Sequence, residues 1–464
     1  MLRDRYDPLD VFAWVPALSR QMEPVLTQLD QLLDDDTLFQ LVKADLATRH
    51  PHSLTDGRPS TPVEVVLRML VVKQLYGWSY AQTEQWVADS LVLRQFCRVY
   101  WQPVPDDTTL IRWANTVQPQ TLHHLLDHIV ELARSLKVTR GRKLRVDSTV
   151  VATNIHHPSD STLLYDGVRV MGRMLGKAKH LLAEGADLSK QAFQNHTRAA
   201  KRQMKHIMQT ARQRGQAAAD HLQSAYGRLL AVAKRTVAQA QQVGPVLQRR
   251  AGPTAGRVAE QLTQLVPQIE QVIRQTERRV LKGEQVPASE KLVSLFEPHS
   301  AIIRKGKPGK PVEFGQVVWL DEVDGGIISR YAILPGNPPD AEQLRPSVDH
   351  HRRVFKKPPR LLAGDRGVHS PSNEEYAQAA GIDQVVLPQP GAKSAKRIAY
   401  EQQGWFKRGH NWRAGIEGRI SGLKRRHKLA RCLNHGAAGM DRWVGWGVIA
   451  HDLRMIAQAT ALRA

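Results

Sequence analysis

The sequence predicts a mixed α/β fold: an all-α N-terminal domain, then a mixed β-sheet core split by a long α-helical insertion. Three observations carry this. Residues 22–137 hold short apolar runs at helical spacing. Near residue 144 the period changes to that of a β-branched strand. Residues 170–285 return to helix, rich in Ala, Gln and Arg and without Trp, before strand patterns resume near 312. The expected boundaries are 1–140 for the helical, DNA-binding domain and 141–169 for the first part of the core. The insertion is expected over 170–290, and the second part of the core, with its C-terminal helices, over 291–464.

In the N-terminal domain, Thr61-Pro62 opens a helix with Val63, Val66, Leu67, Leu70 and Val71 at helical spacing. Ser79, with Gln82 three residues on, reads as a capping box. Asp106-Asp107-Thr108 caps a third helix, whose Leu110, Ile111, Trp113, Ala114 and Val117 are expected on one apolar side. Such a cluster can contain a helix-turn-helix or be plain helical packing. Leu144-Arg145-Val146-Asp147-Ser148-Thr149-Val150-Val151 then forms a strand. Gly244-Pro245 and Gly252-Pro253 are expected to break the insertion into at least two long helices that fold back as an antiparallel hairpin. Val317-Val318-Trp319-Leu320 and residues 327–333 flank Asp324-Gly325-Gly326, a hairpin signal. Leu361-Leu362-Ala363 and Val385-Val386-Leu387 are two more short strands, and helices follow over 411–430 and 437–460.

Composition narrows the function. The 464 residues carry 66 Lys+Arg against 44 Asp+Glu, a formal net charge of +22. A polyanion, nucleic acid first and anionic membrane second, is the partner such an excess attracts. The hydrophobic fraction of 42% excludes wholesale disorder. The charged start, Met1-Leu2-Arg3-Asp4-Arg5, lacks the apolar stretch of a signal peptide, and no run is long enough to span a membrane. Cys97 and Cys432 are far apart, which excludes a disulfide scaffold and a multi-Cys zinc site and fits a reducing cytoplasm. The charge is uneven: net +12 on residues 166–290 and +12 on 291–464, against −2 on 147–165.

Three carboxylates stand out. Asp147 interrupts an apolar strand, where a carboxylate is costly unless it is paired, protonated or on a metal; a solvent-facing strand end is the other reading. Asp365 follows a short strand in Gly364-Asp365-Arg366-Gly367, the place of a turn aspartate or of an acid presented at a sheet edge. On a helix, Arg413, Glu417 and Lys424 share one narrow face, while Gly415, Gly418 and Gly422 lie opposite. That face is either an ordinary ion-pair ladder or one carboxylate flanked by two cations. The glycines are expected to pack closely against another backbone. Three carboxylates without a Cys or His cluster suit Mg²⁺ or Mn²⁺, and two such ions serve in-line phosphoryl displacement. His156, His157 and Asp160 are the zinc alternative, for which a polar loop is the better account.

These segments resemble bacterial insertion-sequence transposases of the DDE class, which have an RNase H-like core. The carrying residues are Val146-Asp147-Ser148-Thr149, Gly364-Asp365-Arg366-Gly367 and the spacing Arg413-x3-Glu417-x6-Lys424, part of a Y-x2-R-x3-E-x6-K signature. Residues 153–161 and 163–169 are similar to a subgroup with a helical insertion after the first Asp, and the N-terminal Pro105-Asp106-Asp107-Thr108-Thr109-Leu110-Ile111-Arg112-Trp113 shares the likeness. The resemblance implies Asp147, Asp365 and Glu417 as catalytic ligands of two Mg²⁺ or Mn²⁺ ions. It implies double-stranded DNA, element ends and target, as substrate, bound by Arg413 and Lys424 with Arg419, Arg425, Trp412 and His410 beside them. It further implies a homo-oligomer on DNA, a dimer, and residence in the bacterial cytoplasm, on the nucleoid when DNA is bound. His410 stands where the signature has tyrosine. Some relatives flip a base onto a tryptophan of their insertion; this insertion has none, though Trp405 and Trp412 could stack on a base or pack on the core.

Overall fold

A computed structural model describes residues 1–6, 22–182, 190–250, 252–304 and 312–463. Two compact units emerge: residues 1–153 with 316–464, and residues 154–315. The first unit opens with helices α1 (Pro24–Leu32), α2 (Asp36–Ala47), α3 (Val63–Tyr76), α4 (Tyr80–Asp89), α5 (Leu91–Phe96), α6 (Asp107–Thr116) and α7 (Pro119–Ser135), then strand β1 (Lys143–Thr153). The caps follow the sequence. Ser79 and Gln82 form both bonds of a capping box on α4, and Asp106 accepts from the Thr109 amide at the start of α6. Leu110, Trp113, Ala114 and Val117 are buried, but Ile111 is 38% exposed and does not join that face. Helix α3 is buried nearly all round and carries Arg68 at 0% exposure. Its guanidinium donates to Asp30 at 2.7 Å, Asp34 at 2.5 Å, Glu64 at 3.3 Å and the Phe96 carbonyl at 3.0 Å. Those bonds offset a desolvation cost of several kcal/mol.

The second unit holds α8 (Asp160–Leu181), α9 (Thr197–Thr210), α10 (Gln216–Arg249), α11 (Pro253–Thr276), β2 (Ala301–Ile303) and the first residues of β3 (Glu313–Val323). The expected break at Gly244-Pro245 does not occur: α10 continues to Arg249 with Pro245 inside. Gly244 has no Cβ to clash with the ring that follows, and the buried Val243 and Leu247 hold that turn against its neighbours. The break falls at Gly252, at φ +131°, with Pro253 opening α11. Helices α10 and α11 are antiparallel, because their links run in opposite senses: Gln223 to Leu281 O, Lys234 to Glu277, Gln241 to Glu270. More than a hairpin results. Leu164, Met171 and Leu175 of α8 and Ile207 of α9 share one core with Leu229 and Ala233 of α10 and Leu262 and Ile269 of α11.

The chain returns to the first unit through β3, then β4 (Ile327–Leu334), α12 (Leu344–Phe355), β5 (Leu361–Ala363), α13 (Pro371–Ala379), β6 (Gln384–Val386), α14 (Ala395–Gln402), α15 (Gly404–Arg426), β7 (Arg431–Cys432) and α16 (Gly436–Ala461). The seven strands form one mixed sheet. Its order runs β2-β3-β1-β5-β6, with β4 antiparallel to β3 and β7 parallel to the end of β1. Strand β5 is parallel to both β1 and β6. The β3–β4 turn is the one expected at Asp324-Gly325-Gly326, with both glycines at positive φ. The Asp324 carboxylate accepts the Arg140, Arg142 and Lys143 amides, so this turn fixes the entry of β1. Among the described residues, no helix is long and apolar enough to cross a membrane.

Helix α16 threads the core and brings Asp452, 0% exposed, to the Ile328 amide at 2.9 Å. Burial pushes this carboxyl well above the usual range, which favours its neutral form. The unfolded chain ionises above its ordinary value near 3.8 while the native state does not, so native stability falls as pH rises from there. Asp452→Asn is therefore expected to raise the thermal midpoint at pH 8 and to leave it unchanged at pH 3, read by circular dichroism. Arg68→Met is expected to cost roughly 3 kcal/mol, because it leaves the buried Phe96 carbonyl without its donor and leaves Asp30 and Glu64 to the more peripheral Arg98, read by denaturant unfolding.

Candidate active site

Strand β1 presents Arg145 and Asp147 on one face, since alternate residues share a side. Its register with β5 pairs Lys143, Leu144 and Arg145 with Leu361, Leu362 and Ala363. Asp147 follows Arg145 by two residues, and Asp365 follows Ala363 by two, each just beyond the paired stretch. The Asp365 Oδ1 accepts the Gly367 and Val368 amides at 2.9 and 3.2 Å, which fixes its orientation. Asp147 Oδ1 likewise accepts the Ser148 amide at 2.8 Å.

Helix α15 supplies the third carboxylate and a cation. Arg413 Nη2 donates to Asp147 Oδ2 at 2.8 Å, and its Nη1 lies 3.6 Å from Glu417 Oε1. One guanidinium thus links the first and last of the expected acids. Arg413 and Asp147 are largely buried, while the Glu417 side chain is 72% exposed. The buried Arg413 Nε has no protein partner. Among the described residues no three His, Cys, Asp or Glu side chains are close enough to form a ready metal cluster. Two carboxylates, Asp147 and Glu417, converge on one guanidinium, and Asp365 lies just past the end of β5, the strand next to β1.

The position of α15 comes from a buried ion cluster. Glu322 of β3, 1% exposed, accepts both Arg145 Nε at 2.9 Å and Nη2 at 2.6 Å. The Arg145 Nη1 donates to the Trp412 carbonyl, and its guanidinium lies 4.7 Å from the Trp412 ring. Arg419 Nε donates to Glu322 Oε1 at 3.3 Å. Gly415 is required here, because a Cβ would come within 2.6 Å of Arg145 Nη1. The expectation of a close-packed glycine face is corrected accordingly. Gly415 makes room for a side chain rather than a backbone, and nothing lies within 4 Å of a Cβ built at Gly418 or Gly422.

The other expected contacts divide. His410 and Arg425 are exposed on α15, and Lys424 is half-buried near its C-terminal end. Arg419 turns inward to Glu322. Trp405 and Trp412 pack on Leu361, Ala363, Val386 and Phe406, with Lys143 5.6 Å from the Trp412 ring. The zinc alternative does not assemble: His156 lies beside Asp166, His157 meets the Phe314 ring edge-on, and Asp160 pairs with Arg279. Asp340 was not anticipated. Ser148 Oγ donates to its two oxygens at 3.0 and 3.1 Å, and a Cβ on Gly367 would lie 3.3 Å from Asp365 and 3.7 Å from Asp340. Its sequence context, Asn337-Pro338-Pro339-Asp340, reads as an ordinary turn.

Residues 17–116 match a family model described as a transposase domain (DUF772). No curated protein and no solved structure matches the chain significantly. The matched segment covers α1 to α6 and stops short of the carboxylates. Over residues 17–116, then, the chain is similar to a transposase domain.

Proposed function

We propose that the chain is the DNA transposase of an insertion sequence, with Asp147, Asp365 and Glu417 as its catalytic carboxylates. The observation that carries this reading is the Arg413 guanidinium. It joins Asp147 to Glu417 although the two acids lie in distant parts of the sequence, and Asp365 stands on the adjoining strand end. The sheet order β4-β3-β1-β5-β6 supports an RNase H-like core interrupted by the 154–315 unit.

In this reading the N-terminal helices and basic surfaces bind the terminal inverted repeats of the element. Arg413, with its unpartnered Nε, and Lys424 hold phosphate oxygens beside the carboxylates. Asp147, Asp365 and Glu417 would hold Mg²⁺ or Mn²⁺, which would supply Lewis-acid stabilisation of the attacking and leaving oxygens. Attack by water frees a 3′-OH, and attack by that 3′-OH joins the end to target DNA. Both are in-line displacements at phosphorus without a covalent protein–DNA intermediate. Two ends must be held together, so the working form is an oligomer, a dimer in its simplest form. The 154–315 unit tracks backbone phosphates: Arg198, Lys201, Arg202, Lys205 and Arg228 line a hollow of about 700 Å³ with no acid among its described lining residues.

Asp147→Ala and Glu417→Ala are expected to lower Mg²⁺-dependent cleavage of element-end DNA by on the order of 10²–10³ or more. Full cleavage by either variant refutes the site. Pre-cut ends incubated with target DNA and Mg²⁺ separate the rivals. Joined product supports a transposase, cutting without joining indicates a nuclease, and binding without either indicates a non-catalytic relic. A second contrast concerns charge. Replacing Lys201, Arg202 and Lys205 by Ala is expected to reduce the slope of log affinity against log salt by about 0.9 for each lost phosphate contact. Arg413→Ala is expected to reduce cleavage far more than affinity, read by anisotropy and gel assays side by side.

A further inference from the structure

Near the C-terminal end of α15 lies a cleft of about 920 Å³, at the large end of the roughly 300–1,000 Å³ of ligand pockets. Its walls come from the α3–α4 turn, α6, the end of α15 and the following segment, and α16. A reciprocal contact holds these elements together. Gln74 Nε2 donates to the His427 carbonyl at 2.8 Å, and the His427 ring Nδ1 meets the Gln74 carbonyl at 3.2 Å. Gly77, at φ +66°, lets the turn approach, since a Cβ there would lie 2.9 Å from Lys428 Cε and 3.0 Å from the Arg426 carbonyl.

The lining combines aromatic faces with cations. Trp78, Tyr80 and Trp443 supply rings, and Lys424, Lys428 and Arg431 supply charge. No Asp or Glu is among the described lining residues. Beneath them the Lys73 ammonium lies 4.5 Å from the Tyr80 ring and 5.2 Å from the Trp443 ring, and burial lowers its pKa to about 8. The ring surface extends outward, because Trp78 stacks on Tyr76 at 4.5 Å and lies 6.0 Å from Trp86, both exposed. Aromatic faces gain most from bases that are not already stacked in a duplex, and cations without acids suit a phosphodiester backbone. Lys424 also lies about 10 Å along α15 from Glu417, so a strand at the carboxylates reaches the cleft within a few nucleotides.

We propose that this cleft binds unpaired nucleotides of the DNA strand that adjoins the carboxylate site, with bases on Trp78, Tyr80 and Trp443 and phosphates on Lys424, Lys428 and Arg431. The proposal rests on the DNA-processing reading above. It deepens that reading by naming a locally single-stranded flank as substrate.

The test uses the full-length protein without divalent metal and two fluorescein-labelled probes: a blunt duplex, and the same duplex with a short oligothymidine tail. Wild type is expected to bind the tailed probe about tenfold more tightly. Trp78→Ala should remove this preference, Trp78→Phe should restore most of it, and blunt-duplex affinity should stay constant. Lys428→Asn, which keeps a residue tolerant of the φ of +58° at that position, should shrink the preference without unfolding the chain. Equal binding of both probes by wild type, or equal weakening of both by Trp78→Ala, overturns the cleft and leaves the DNA reading standing. Thymidine monophosphate binding as tightly as the tailed probe also overturns it, in favour of a free nucleotide. Failure to bind either DNA overturns the proposal together with the reading on which it rests.

Discussion

The buried Glu322–Arg145 pair is the interaction on which the candidate site depends. Neither side chain has appreciable access to water. The bidentate fork between them is among the strongest geometries available to such a pair. Yet its importance lies less in net energy, which desolvation largely offsets, than in what the fork leaves over. The third nitrogen of Arg145 reaches the Trp412 carbonyl, and the second helix contact, Arg419, shares Glu322. Both belong to α15, so one carboxylate on β3 fixes the helix through a β1 side chain. Arg413 and Glu417 lie between those two anchors, which determines where their heads fall relative to Asp147.

That arrangement gives two arginines of one helix opposite tasks. Arg419 is consumed by the scaffold, whereas Arg413 faces the acids and retains an unpartnered Nε. The Arg413 guanidinium places a positive charge beside both Asp147 and Glu417. Like charges brought together without such a cation would repel. An incoming phosphate and hard cations would offer the same residues new partners of both signs. The Arg413 contacts are therefore exchangeable, and the Arg145 contacts are not. Exposure follows the same division: Glu417 is open to solvent and Glu322 is closed.

Much of this was legible in the sequence, and the reasons are local. The Ser79 box, the Asp106 cap, the Gly325-Gly326 turn and the strand around Asp147 each state their geometry within a few residues. The i,i+4 spacing of Arg413 and Glu417 likewise set their contact. What stayed illegible depends on partners distant in sequence. Pro245 reads as a break, yet tertiary packing carries the helix through it. Three spaced glycines imply a packed face, but only Arg145, far earlier in the chain, shows why Gly415 alone is required. Asp340 sits in a plain turn, and nothing nearby announces that Ser148 will bind it. Arg419 carries a charge that suggests DNA, and only the buried Glu322 claims it.

The same division bears on how the N-terminal segment and the carboxylates are joined. The family match ends at residue 116, before any of the three acids, so sequence similarity leaves the two halves unconnected. The structure connects them within the first unit, and one such contact is reciprocal: Gln74, at the end of α3, exchanges two bonds with His427, at the end of α15. Burial lowers the His427 pKa to about 4, so the ring is neutral at physiological pH and its Nδ1 can contact a carbonyl without burying a charge. Helix α3 is in turn anchored by Arg68 to α1. Under the proposed function, a DNA segment held by the N-terminal helices would be referred, through α3, His427 and α15, to the position of Glu417. Binding and chemistry would then share one frame, because the helix that carries Glu417 ends against a helix of the segment similar to a transposase domain.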